Sequence, residues 1–141
     1  MSFDPRTQQY ESYVTMPGDP GFNGIEYVVG VFHSTTGTPS IDVSATGSGN
    51  PFTSDTVCVI PSVTTTVDGA IMFGVTGGRT PGSAWGTAAG WTADQTRIGS
   101  FVSLWAGHKA IATAGASGTA NVTNTGATNK EYVSVAVGVK P

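Results

Sequence analysis

This sequence predicts an all-β chain: an antiparallel β-sandwich, jelly-roll-like, of about eight or nine short strands with almost no helix. Three observations carry that expectation. Runs of Val, Ile, Thr and aromatic residues are short and bounded by Gly, Pro, Asn, Asp and Ser, the punctuation of strands and tight turns. Only 11% of the 141 residues are charged, against about 25% in a typical soluble domain, and 20 are glycine. Low charge is not the signature of disorder, and hydroxyls here take the place of charges on exposed faces. Helical signals are nearly absent; Ala84 to Ala89 is the one place suited to a single turn.

The chain divides into a Pro/Gly-rich N-terminal arm, residues 1–24, and a single sandwich domain over residues 25–141. Pro5, Pro17, Gly18, Pro20 and Gly21 rule out a regular helix in the arm, and Tyr10, Tyr13 and Val14 suit one short strand or apolar pegs on an extended segment. Two readings follow for the arm: a strand packed on its own domain, or a reach towards a neighbouring subunit. Ile25 to His33, IEYVVGVFH, is apolar on both faces and predicts a central strand, with His33 as a capping or interface residue. Ile41 to Thr46 alternates, with Ile41, Val43 and Ala45 expected to point inward.

Asp55 to Gly77 is expected to nucleate the sheet. Asp68-Gly69 tolerates the positive φ of a tight turn, so Ser62 to Val67 and Ala70 to Thr76 are expected to form a hairpin. Val57, Val59, Val63, Val67, Ile71, Phe73 and Val75 are its expected apolar surface. Gly77 to Trp91 follows as a long loop holding Trp85 and Trp91, one expected to plug the core and an exposed Trp85 to serve as a contact. Thr96 to Ala106 is expected as a strand, Gly107-His108 as a turn, Lys109 to Ala114 as a further strand, and Gly115 to Gly118 as a second turn. Thr119 to Thr123 and Glu131 to Val139 complete the set, with Val133, Val135, Val137 and Val139 expected on the inner face.

Chemistry is sparse. Gly47-Ser48-Gly49 and Gly115-Ala116-Ser117-Gly118 miss the spacing of a nucleophile elbow and lead into no helix. Gly74 to Thr80 has too few residues between its glycines for a phosphate loop, and Arg79 where Lys is required. The acids fall mostly at turns and strand ends, where Asp makes local hydrogen bonds, and Asp68 suits the turn itself. Neither a calcium loop nor a Cys/His cluster for zinc is present, so no cofactor, metal or catalytic residue is expected. His108 has no ligand-like partner at fixed spacing, and Cys58, between Val57 and Val59, is expected to be a packed thiol. A net charge of -3 with scattered Lys and Arg argues against nucleic acid as a partner. No apolar run is long enough to span a membrane, and the first residues lack the apolar core of a signal peptide.

The order SVTTTVDGAIMFGVTG (Ser62 to Gly77), GWTADQTRIGS (Gly90 to Ser100), LWAGHKAIATAGASGTANVT (Leu104 to Thr123) and EYVSVAVGVKP (Glu131 to Pro141) resembles a β-sandwich module of phage structural proteins and of some bacterial surface proteins. Ile25 to Asp42 looks like that module's preceding strand, and the resemblance spans roughly residues 25 to 141. It implies non-enzymatic work: a virion structural protein, expected as a capsid decoration or cement protein. The partners implied are other virion proteins, the major capsid protein first, and further copies of itself, with no nucleic acid and no membrane. Assembly in the host cytoplasm into a virion would need no signal peptide. Phe3, Tyr10, Tyr13, Arg79 and Trp85 are the expected partner contacts. The alternative is a receptor- or carbohydrate-binding module of a tail fibre or adhesin, in which the Trp85–Trp91 loop, with Arg79 and Asn50 as polar partners, stacks on a glycan.

Overall fold

The computed structural model describes residues 2–4, 9–11, 38–49, 57–78, 84–98, 103–125 and 132–141. All the regular structure among them is β-strand. Two short strands, β1 (Ser2–Asp4) and β2 (Gln9–Glu11), pair with each other as a separate antiparallel ribbon. The other eight are β3 (Ser40–Gly49), β4 (Val57–Ile60), β5 (Ala70–Gly78), β6 (Ala84–Trp85), β7 (Thr92–Ile98), β8 (Ser103–Ile111), β9 (Ala120–Thr125) and β10 (Tyr132–Lys140). They form two antiparallel sheets, a five-stranded one in the order β3-β10-β5-β8-β7 and a three-stranded one in the order β4-β9-β6. This is the expected all-β sandwich.

The expected hairpin around Asp68-Gly69 is not one. β4 lies in the small sheet and β5 in the large one, so the chain crosses between layers over residues 61–69. Ser62 to Val67 makes no strand beyond a single bridge, Thr64 to Ala116. It runs beside the other crossover, residues 112–119, which carries the chain from β8 back to β9. Thr65 and Gly115 exchange backbone bonds (2.9 and 3.1 Å), and Ser117 N–H donates to the Val63 carbonyl (2.8 Å). Asp68 accepts from the Ala114 N–H (2.7 Å), and Gly69 takes the turn at φ +73°. The turn chemistry is therefore as read. What it joins is two sheets, because Ser62 to Val67 satisfies its backbone against the second crossover.

The core lies between the sheets, and its bulk comes from a few large side chains: Ile60, Met72, Trp91, Trp105 and Val122. Trp91 is the plug, edge-on to Trp105 with ring centroids 6.1 Å apart. These side chains need small residues opposite them, and that reverses the expected facing of two strands. Along β5 the buried positions are Ala70, Met72, Gly74 and Thr76, while Ile71, Phe73 and Val75 face outward. Along β10 Ser134, Ala136 and Gly138 are buried, while Val133 and Val135 are 67% and 39% exposed. A Cβ on Gly74 would come within 2.9 Å of both the Trp91 ring and Ile60, so a larger inward residue there would displace the plug. In β4, similarly, Cys58 and Ile60 are buried and Val57 and Val59 only half so. Cys58 is the packed thiol expected of it.

Other boundaries shift for related reasons. Thr96 to Ala106 is not one strand: it contains the end of β7 and the start of β8. Gly107-His108 is not a turn but the middle of β8, where a Cβ on Gly107 would meet the Thr92 carbonyl and the Trp105 ring at 2.5 Å. β8 ends at Ile111, and the turn at Gly115 and Gly118 is present, with φ of +153° and +71°. Val43 and Ala45 pack on the core as expected, but Ile41 points out. The pairing passes from Gly138↔Val43 to Val139↔Ile41, so Asp42 is the extra residue of a bulge and Ile41 is turned to the other face. Ala84 to Ala89 holds the short strand β6 in place of a helical turn. The expected strand Ile25 to His33 and the boundary between residues 24 and 25 lie outside the described residues.

Candidate functional site: the outer face of the large sheet

The reversed facing of β5 and β10 builds a surface. With the inner positions taken by small residues, the aliphatic side chains of these strands stand on the side away from the core. The register sets them in rows across the sheet: Ser48, Val133, Gly77, Leu104; then Thr46, Val135, Val75, Ala106; then Ser44, Val137, Phe73, His108; then Ile41, Val139, Ile71, Ala110. Leu104, Ala106 and, at the end of β10, Val139 are buried, so the open part of this face is carried by β3, the rest of β10 and the adjoining side of β5. Ile41, Ile71, Val133 and Val135 are its exposed large apolar residues. Sequence reasoning took these valines for core because larger apolar residues are normally the buried ones. The available signal was the alternation of Ser134, Ala136 and Gly138 with valine, and glycine at inner strand positions.

Two polar devices border the face. At the bulge, the Thr66 N–H donates to Asp42 Oδ2 (2.7 Å) and the Thr66 hydroxyl donates to Oδ1. These two bonds, the hydroxyl's first, hold the Asp42 carboxyl below its ordinary range, with a smaller contribution from Lys140. At the far side, His108 Nδ1–H donates to the Asp94 carboxylate (2.7 and 2.9 Å), tying edge strand β7 to β8 where β7 bulges between Ala93 and Gln95. Spacing alone could not show this pair, since the inserted residue is what brings Asp94 to His108.

Phe3 and Tyr10 stand opposite each other in the β1–β2 ribbon, and Tyr13, Arg79 and Asn50 lie outside the described residues. Trp85, on β6, is half-buried and packs against the core cluster, and its Nε1 is buried with no hydrogen-bond partner among the described residues. Among the described residues no group of His, Cys, Asp and Glu could hold a metal ion. No helix among them is long and apolar enough to cross a membrane. No family model, no curated protein and no solved structure matches the chain.

Proposed function

We propose that this chain is a non-enzymatic structural protein of a phage virion, acting as a capsid decoration or cement protein through contacts between subunits. The observation that carries the reading is the sandwich itself. The resemblance to the phage module implies two antiparallel layers, and the strands of its matching segments, β5, β7, β8, β9 and β10, are parts of such layers. A charge-poor β domain with an apolar outer face suits this work, because little desolvation opposes burial of its surface against other subunits. Its partners in this reading are the major capsid protein and copies of itself.

The second reading, a receptor- or carbohydrate-binding module, draws on Trp85 as a platform for a sugar ring. The packing of that indole against the core gives it less support than an open ring would. Purification of particles from an infected culture separates the two. Recovery of this protein with intact, tail-less capsids is expected, and recovery with isolated tails or tail fibres would overturn the capsid assignment.

A further inference from the structure

The outer rows of β3, β10 and β5 contain no ionisable side chain from Ser48, Val133 and Gly77 at one end to Ile41, Val139 and Ile71 at the other. Their middle is Val135, Val137, Val75 and Phe73, and along the β3 edge stand the exposed, uncharged Ser44, Thr46 and Ser48. We propose that this face is the contact between two copies of the chain, packed sheet on sheet about a two-fold axis.

Size, charge and symmetry favour that occupant. Three strands about 4.8 Å apart and four rows about 7 Å apart enclose roughly 400 Å² in projection, and side-chain relief adds to it. Two such faces together remove on the order of 1,000 Å² from water, the lower limit for a specific interface. That size fits a dimer dissociating at about micromolar concentration or above. Recognition of a different macromolecule usually carries charge complementarity, and these rows offer none. A two-fold contact needs only a patch that accepts its own copy, and a neutral aliphatic face bordered by hydroxyls does so without stranding a buried charge. A lipid surface would be expected to meet a rim of Lys and Arg alone, whereas the charges described at the borders are of both signs: Asp42 with Lys140 on one side, and Asp94 beside His108 with Arg97 in the Leu104 row on the other. The proposal holds for this chain whether or not it belongs to a virion.

Sedimentation velocity of the full chain over a concentration series tests it, with Val133→Asp, Val133→Ser and, on the exposed side of β9, Asn121→Asp. The wild type and Asn121→Asp should sediment as two chains at high concentration and as one on dilution. Val133→Ser should weaken the association about tenfold or more by removing buried aliphatic surface from both copies. Val133→Asp should be a single folded chain throughout. A wild type that stays a single chain at every concentration overturns the proposal. So does a Val133→Asp chain that still dimerises, or one that unfolds, which would mean the chain's own residues cover the face. Co-flotation of a single-chain wild type with phosphatidylcholine vesicles would assign the face to lipid and overturn it equally.

Discussion

Adjacent residues Val135 and Ala136 should respond in opposite ways to the same substitution. Val135 is 39% exposed on the outer face and Ala136 is fully buried between the layers, paired directly with Gly74, which lies against the Trp91 plug. Complete burial of a valine is worth about 1.5–3 kcal/mol, so a side chain that is partly open forfeits roughly 1–1.5 kcal/mol when replaced by Asp. The poorer strand preference of Asp brings the total to about 2 kcal/mol. For a chain of this length that lowers Tm by about 6–7 °C. Ala136→Asp instead places a carboxylate in the core cluster with Met72, Trp91 and Trp105, none of which can pair it, at a cost of about 5 kcal/mol or more. This is comparable with the whole stability of about 5–15 kcal/mol usual for a domain. Thermal melts followed by tryptophan fluorescence, at dilutions where the chain is monomeric, should give a displaced but cooperative transition for Val135→Asp. Ala136→Asp should show no folded baseline. Collapse of Val135→Asp, or a wild-type melt for Ala136→Asp, would refute the assigned facing of β10.

Three further outcomes are expected. Asp42 is held below the ordinary carboxyl range by Thr66, so its contribution is present above the unfolded-state pKa and is lost as pH falls through the folded value; urea denaturation between about pH 5 and 2 should show this loss, and Asp42→Asn should flatten the slope. Gly107→Ala should cost about 2–3 kcal/mol, since its Cβ meets the fixed Thr92 carbonyl as well as the Trp105 ring; an unchanged denaturation midpoint would contradict the close approach of β7 to β8. Trp85→Ala should cost about 2–3 kcal/mol, less than a fully buried tryptophan, because the half-buried indole packs on the core; a stability equal to wild type would return Trp85 to the role of a surface contact.

Strand existence was legible in this chain because β-branched runs between Gly, Pro and Asn clusters depend on local chemistry. The turn at Asp68-Gly69 was legible for the same reason. Its consequence was not, because a tight turn shows that the chain reverses but not whether its two arms bond to each other. Here the crossover at residues 112–119 competes for the backbone of Ser62 to Val67 and wins. Facing was misread where the core reverses the usual order of sizes. Trp91 and Trp105 fill the space opposite β5 and β10, so glycine, alanine and serine point in and valine points out. The apolar outer face follows from that reversal and was hidden with it. Ile41 and the Asp94–His108 pair both depend on bulges, and one inserted residue changes a face without marking the sequence.

The apolar outer face depends on the outward facing of the β10 valines, and Cys58 supplies an internal standard for it. Cys58 is the chain's one cysteine and is fully buried. In Val133→Cys, studied with a maleimide at dilutions where the chain is monomeric, position 133 should react at the rate of an open thiol. Cys58 should react only after unfolding. Protection of position 133 equal to that of Cys58 would mean that Val133 faces the core.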